Sequence, residues 1–368
     1  MSATQASLTT VDGIHSYLAG TIYASHTIAS LSGGLGNYTY RIRLIKPIDG
    51  QETLVLKHAQ PFIKNTTMAF SLDRQMFEYE AMKRVKAWLP ADSLVTVPTI
   101  YKFDTEQHVL IMEDCGADVL TLKDIMLQID TDTYTSLAAT IGSSLGHFIG
   151  SMHEWSRANP DGILDFFARN KQALELSAWA TYGRLIQTLK SGEGDDLPQV
   201  ADTDLAVIQK VAEDVSASML AARDCFVMGD FWPGNVMVAL DNEKNLTRLY
   251  LLDWELAKPG LPGVEIGQLC AEVHLVRRYI PAAENFASAI LDSFLQAYAD
   301  GVKPDIELAR HTLAHWGTHL VVWTPRIPTW ADNKEKMCSV VEEGVKLIVI
   351  AMDGSETLSS LVGPLVRH

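Results

Sequence analysis

The sequence predicts an α+β fold in two lobes, strand-rich first and helical after, and three observations predict it. Runs of β-branched and aromatic residues, punctuated by glycine and proline, fill the first third of the chain. After Gly116 the apolar residues recur at helical spacing almost to the end. One strand pair, Asn235–Leu240 and Arg248–Leu252, interrupts those helices. The expected division is a first lobe over residues 1–115 and a second over 116–368.

In chain order, Thr21–Ser32, Tyr38–Ile45 and Thr53–His58 read as strands, separated by Gly33–Gly36 and by Pro47–Gly50. A helix is expected from about Leu72 to Trp88, with Phe77, Ala81, Met82 and Val85 on one side. Strands Thr96–Phe103 and Val109–Met112 flank the turn-like Asp104–Gln107. Asp132 is a candidate N-cap for a helix reaching Trp155. Ser191–Gln199 reads as a polar loop, Asp241–Thr247 joins the hairpin, and three or four helices run on to about Met352.

Composition excludes more than it identifies. The chain has 368 residues, 47% hydrophobic and 20% charged, which is globular rather than disordered. A formal charge of −15 argues against nucleic acid, which needs a basic footprint. The longest apolar run near the C-terminus, Leu347–Met352, is too short to span a bilayer. Met1–Thr10 is polar, lacks basic residues and leads into no apolar stretch, so no secretory signal is expected. Cys115, Cys225, Cys270 and Cys338 are scattered without zinc-ligand or disulfide spacing, which predicts a reducing, cytoplasmic setting.

The strongest chemical signal is Val227-Met228-Gly229-Asp230-Phe231-Trp232-Pro233-Gly234-Asn235, followed by the hairpin and Leu252-Asp253-Trp254-Glu255. Asp230 and Asn235 have the D-x-x-x-x-N spacing of a kinase catalytic loop, in which the Asp aligns a hydroxyl and takes its proton while the Asn reaches magnesium. Asp253 ends the second hairpin strand, where a kinase places its metal-binding Asp. Glu255, two residues on in extended backbone, points to the same side, as a further metal ligand or as the holder of a metal-bound water. Turn residues alone would account for Asp230–Asn235; the flanking strands and the second acidic pair favour the catalytic reading.

The first lobe carries supporting pieces. Ser32, Gly33, Gly34, Gly36 and Asn37 lie in a glycine-rich turn between strands, which lets backbone N–H groups approach phosphates. Lys57 ends a strand where a kinase lysine meets the α/β-phosphates, and Glu78 or Glu80 on the next helix is its candidate partner. Glu113, Asp114 and Cys115 fall at the lobe junction, where backbone groups would hold an adenine edge. The cleft between such lobes is the expected nucleotide site.

These residues resemble the aminoglycoside phosphotransferase and choline kinase superfamily, especially its methylthioribose-kinase-like branch and, closer still, the fungal tryptamine kinases. The matching stretches include LSGGLGNYTYRIRL from Leu31, LVLKHAQP from Leu54 and FEYEAMK from Phe77. VLIMEDCG from Val109, VMGDFWPGNVMV from Val227, YLLDWELAKPG from Tyr250 and HLVVWTPRIPTW from His319 extend them in order over nearly the whole chain. The resemblance implies a protein-kinase-like fold, ATP as donor, Asp230 as base, Asn235 and Asp253 as magnesium ligands and Lys57 as phosphate contact. The wider superfamily has His two residues before the catalytic Asp, whereas this chain has Met228. That departure leaves open how the catalytic loop is braced.

Only Leu256–Val264 separates the Asp-x-Glu from the next helix, leaving no room for a peptide-docking segment. A small-molecule hydroxyl is therefore the expected acceptor, with a hydroxylated aromatic amine such as 4-hydroxytryptamine first and a methylthioribose-like sugar second. A nucleotide-binding pseudokinase is the third expectation. Trp232, Trp323, Arg326 and Trp330 are acceptor-site candidates, although core packing accounts equally for Trp323 and Trp330. Glu265 is read either as an amine ligand or as a favourable charge at a helix N-terminus. His311, His315 and His319 share one helix face and read as packing rather than metal.

Overall fold

The structure is a computed structural model that describes residues 7–32, 34, 36–64, 66–128, 135–191, 197–352, 358 and 361–366. Its contacts fall into two units, Met1–Val119 with Tyr250–Glu255, and Leu120–Leu249 with Leu256–His368. The first is strand-rich and the second mostly helical, as the sequence predicts.

The strand-rich unit contains α1 (Val11–Leu18), β1 (Ser25–Ser30), β2 (Asn37–Ile48), β3 (Gln51–Ala59), α2 (Arg74–Trp88), β4 (Val95–Thr96), β5 (Ile100–Asp104) and β6 (Val109–Glu113). Five of the strands form an antiparallel sheet in the order β1-β2-β3-β6-β5. Alternation along the strands sorts the side chains between its faces. Tyr40, Ile42 and Leu44 of β2 and Leu54 and Leu56 of β3 are buried in one cluster with Ile14 and Leu18 of α1. Lys57 is out of phase with Leu54 and Leu56, so it emerges on the opposite face, where Glu78 of α2 meets it.

Helix α1 corrects the expectation of a single helix in this region. Its start is capped by Thr10, whose Oγ1 accepts the Gly13 N–H at 3.2 Å. Helix α2 starts two residues later than the expected Leu72 and buries Phe77, Ala81, Met82 and Val85, with Glu78 among them. Asp132, the expected N-cap, lies outside the described residues, as do residues 192–196 of the expected polar loop.

The helical unit opens with β7 (Leu120–Thr121), α3 (Leu122–Gln128), α4 (Thr135–Arg157), α5 (Ile163–Phe167), α6 (Lys171–Ala178), α7 (Arg184–Ser191) and α8 (Asp202–Ala221). The strands β8 (Cys225–Val227), β9 (Val236–Leu240), β10 (Leu246–Leu251) and β11 (Lys258–Gly260) follow, and then α9 (Pro262–Tyr279), α10 (Glu284–Gly301), α11 (Ile306–Trp323), the one-turn α12 (Pro328–Ala331) and α13 (Lys334–Met352). The predicted hairpin is β9–β10, and β7 pairs with β9. The short β8 pairs antiparallel with β11, Val227 opposite Lys258, a pairing too brief to be legible as alternation.

Helices α4 and α10, α9 and α11, and α11 and α13 pack as pairs. Between the last two the backbones meet: a Cβ on Gly317 would lie 2.5 Å from Gly344 O, and one on Gly344 would lie 2.7 Å from Gly317 O. Neither carbonyl can move aside without shifting its helix. We expect Gly344→Ala to lose about 2 kcal/mol of stability through overpacking, despite alanine's better helix propensity. Urea unfolding measures this, and an unchanged midpoint would refute the close approach.

Among the described residues, no helix is long and apolar enough to cross a membrane.

Candidate active site

In the strand-rich unit a charged cluster forms around Lys57. Its ammonium donates to Glu78 Oε1 at 2.5 Å and to Asp253 Oδ1, while Glu80 is engaged by Lys83 and Arg84. The sequence left Glu78 and Glu80 as equals; the structure pairs Lys57 with Glu78. Burial opposes the charge on Lys57, but Asp253, Glu78 and Glu255 outweigh it and raise the lysine above its ordinary range. Asp253 adopts a left-handed backbone, φ +61°, uncommon for a residue with a Cβ. The chain turns sharply there, with the fully buried Trp254 donating its indole N–H to Leu251 O at 3.0 Å.

Glu255 belongs to the same cluster. Its Oε2 accepts from Asn37 Nδ2 at 2.8 Å and lies 3.5 Å from Arg74 Nε. Arg74 also donates to Gly36 O at 2.6 Å, so the glycine turn and Glu255 are held by one guanidinium. A Cβ at Gly36 would sit 2.4 Å from Glu255 Oε1, so a larger residue there would displace that carboxylate. Gly34 takes φ +67° and, like Ser32, is exposed, and Gly33 lies outside the described residues.

At the expected adenine position, Glu113 donates its backbone N–H to Thr99 O and accepts from Thr99 N and the Tyr250 hydroxyl on its side chain. Asp114 is gripped in two-pronged fashion by Arg41 at 2.6 and 2.9 Å, and Arg41 reaches Gly116 O as well. Burial pushes the Cys115 thiol up to about 12, so it is no nucleophile at neutral pH.

The catalytic-loop sequence folds in the helical unit. Strand β8 delivers a fully buried Met228, and the chain turns at Gly229, φ +87°, where a Cβ would strike Leu256 O at 2.2 Å. A single turn of 3₁₀ helix over Pro233–Asn235 then brings Asn235 back to Asp230. Asn235 Nδ2 donates to Asp230 O at 3.0 Å and to Asp230 Oδ2 at 3.1 Å, and Gln268 Nε2 of α9 donates to Oδ1 at 2.8 Å. Both carboxylate oxygens therefore accept amide N–H groups, which hold the carboxylate in one orientation.

Glu265, at the start of α9, is buried and has both oxygens occupied. Oε1 accepts the Gly229 N–H at 2.9 Å, and Oε2 faces His153 Nε2 at 2.9 Å. Lys258 is buried beside this turn, its ammonium donating to Leu256 O at 3.2 Å. Burial lowers it to about 8, against the pull of Glu265 and Asp230. A lysine pKa depressed on folding means that the unfolded chain binds the extra proton, so stability rises with pH between about 8 and 10.5. We expect Lys258→Met to be more stable than the parent at pH 7 by about 3 kcal/mol. It should also lose that rise, as urea unfolding at pH 7 and 10 would show.

The acceptor candidates separate. Trp232 and Trp330 both face Lys123 of α3, whose ammonium lies 4.8 and 5.9 Å from their ring centres. Trp330 is 3% exposed and packs on Tyr279, a core position, whereas Trp232 is partly exposed. Trp323 faces Arg184 and His319 instead, and Arg326 turns back to Val322 O. His315 meets the Tyr182 hydroxyl and His319 meets Glu272, so the histidines have separate partners. Among the described residues, no three His, Cys, Asp or Glu side chains are placed so that they alone could hold a metal ion.

The fit to magnesium rests on the chemistry of the donors. Asp253, with its side chain 34% exposed, and Glu255 offer carboxylate oxygens in one unit, and Asn235 an amide oxygen in the other; all are hard ligands. In the first cluster three carboxylates, Glu78, Asp253 and Glu255, face two cations, Lys57 and Arg74. Burial first, and then Glu78 and Asp253, push Glu255 up to about 7 against the pull of Lys57 and Arg74.

Fold and site together describe a phosphoryl-transfer enzyme. A family model described as the phosphotransferase enzyme family (APH) matches residues 27–310, and the chain belongs to that family. Among individual relatives, 4-hydroxytryptamine kinase of Psilocybe cyanescens is 30% identical over 353 residues, 92% of this chain and 92% of its own. The protein of the same description from Psilocybe cubensis is 29% identical over 351 residues, again 92% of each chain. Methylthioribose kinase of Bacillus mycoides (strain KBAB4) is 25% identical over 254 residues, 66% of this chain and 59% of its own.

Proposed function

We propose that this enzyme is an ATP- and magnesium-dependent kinase for a small-molecule hydroxyl, with a hydroxylated aromatic amine such as 4-hydroxytryptamine as acceptor. The observation that carries the proposal is Asp230, its carboxylate held from both sides by Asn235 and Gln268 at the end of a glycine turn. Phosphoryl transfer asks a protein mainly for alignment and charge neutralisation. Asp230 aligns the acceptor hydroxyl and takes its proton. The strand-rich unit serves the nucleotide, with Lys57 on its phosphates, the Ser32–Asn37 turn around them and the Glu113–Cys115 backbone along the adenine edge. Asn235, Asp253 and Glu255 would hold magnesium, which when bound supplies positive charge to the transferring phosphoryl group.

The aromatic-amine acceptor is supported by the two tryptamine kinase relatives and by Trp232, two residues after Asp230, whose ring already accepts a cation from Lys123. A methylthioribose-like sugar is the second reading, supported by the bacterial relatives. We place the enzyme in the cytoplasm because Cys115, Cys225, Cys270 and Cys338 are free thiols.

The test is ATP consumption on a panel of 4-hydroxytryptamine, methylthioribose, choline and an aminoglycoside, with Asp230→Asn as control. Turnover of 4-hydroxytryptamine alone, lost in the variant, is the expected result. Turnover of methylthioribose alone would select the second reading. Failure of magnesium-ATP to shift the melting temperature would overturn the kinase proposal.

A further inference from the structure

Met228, which precedes the Gly229 turn, is fully buried and offers no polar group to brace the loop. A buried hydrogen-bond chain arrives at the next residue from elsewhere. The Gly229 N–H donates to Glu265 Oε1 at 2.9 Å, Glu265 Oε2 faces His153 Nε2 at 2.9 Å, and His153 Nδ1 faces the Tyr298 hydroxyl at 3.0 Å. His153, Glu265 and Tyr298 are 0%, 3% and 1% exposed. They come from three helices, α4, α9 and α10.

With Glu265 as a carboxylate both of its oxygens accept, so the proton facing it sits on His153 Nε2, and in a neutral imidazole Nδ1 then accepts the Tyr298 O–H. Burial keeps that phenol protonated, well above its ordinary range. The chain thus holds the imidazole between two partners and aims the Glu265 carboxylate at Gly229. Helix α4 supports the same segment a second time, because Ser156, one turn after His153, accepts the Phe226 N–H of β8 at 2.8 Å. The strand entering the loop and the turn leaving it are both referenced to α4.

We propose that His153, oriented by Tyr298 and acting through Glu265, is the positioning residue that sets the Gly229–Asp230 turn, which the apolar Met228 cannot brace. It touches no reacting atom; it fixes where the Asp230 carboxylate stands. The proposal rests on the kinase reading for its catalytic consequence but not for its structural one.

The experiment therefore has two readouts, amide hydrogen exchange and steady-state kinetics, on the full-length protein and on His153→Leu, His153→Gln and Tyr298→Phe. Gln can return a donor near the Nε2 position, whereas Leu cannot. We expect His153→Leu to speed exchange at Gly229 by at least about tenfold and to lower kcat by about tenfold to a hundredfold, with KM for ATP within about twofold. Gln should recover most of both effects, and Tyr298→Phe should show a smaller loss. Unchanged exchange at Gly229 in His153→Leu would overturn the brace whatever the activity. So would acceleration spread evenly through α4 and α10 that Gln does not reverse, since that is general loosening. Altered exchange that Gln reverses, in a protein that turns over no acceptor, would keep the brace and reject the kinase reading instead.

Discussion

We expect Asp230→Asn to lower kcat by about 10²–10⁴-fold, the range general-base removal produces. The substitution is isosteric but cannot be accommodated silently. Both oxygens of Asp230 accept N–H groups, Oδ1 from Gln268 and Oδ2 from Asn235. Whichever way the introduced amide is turned, its NH₂ meets a donor, so one contact is lost along with the base. The groups assigned to the nucleotide lie in the other unit, and KM for ATP should stay within a few-fold. Asp230→Ala, which removes the clash as well as the base, should be equally inactive. Initial-rate kinetics on both variants make the check, and kcat within about threefold of the parent would remove Asp230 from the mechanism.

Lys57→Met carries the second large effect, and it appears in two places. Glu78 is fully buried and its partner is Lys57, so the variant leaves a carboxylate in the interior without its cation. Breaking a buried pair in this way costs about 3–5 kcal/mol, far more than the pair itself contributes. ATP turnover should vanish with it. Lys57→Met/Glu78→Gln separates the two effects. Neutralising the stranded carboxylate should return most of the stability in a urea titration, while turnover stays absent. A double variant no more stable than the single would show that Glu78 does not depend on Lys57. Turnover by either variant would show that the lysine is dispensable for phosphate binding.

Much of the candidate site is legible in the sequence because its residues lie at fixed spacings on regular elements. Asp230 and Asn235 are five apart in one turn, and Asp253 and Glu255 two apart at a strand end. Lys57 follows a Leu-Val-Leu alternation that places it opposite the core. The residues that escaped reading are those whose role depends on distant chain. Arg74 looks like a surface charge, yet it is 2% exposed and ties Gly36, Asn37 and Glu255 together. One sign was available: a cation in the first turn of a helix opposes the helix dipole, and something else must hold it there. Gln268 and His153 gave no such sign, since Gln268 reaches Asp230 from 38 residues away in sequence and His153 reaches Gly229 only through Glu265.

Two further differences have simple physical causes. Helix α1 was missed because Val11–Leu18 is short, contains Gly13 and buries only Gly13, Ile14 and Leu18. Its apolar signal is two residues deep, below what periodicity detects. Glu265 suited a helix N-terminus or an amine equally well in sequence; its burial and its two partners give it a third role, as an acceptor for the catalytic loop's backbone. Trp323 and Trp330 are only seven residues apart, yet one faces Arg184 and the other Tyr279, a divergence no spacing rule contains.

The backbone contact of Gly317 with Gly344 bears on how such an enzyme can acquire a new acceptor. Where side chains separate two helices, a lineage can drift by letting the axes slide as residues grow or shrink. Where carbonyl meets α-carbon, that freedom is gone, because neither partner has a side chain to trim. The α11–α13 pair therefore behaves as a fixed chassis, and selection for a different alcohol would have to proceed by exchanging residues on it rather than by reshaping it. Libraries that hold both glycines constant and vary the residues around Trp232 should retain folded members at a far higher rate than libraries that include them.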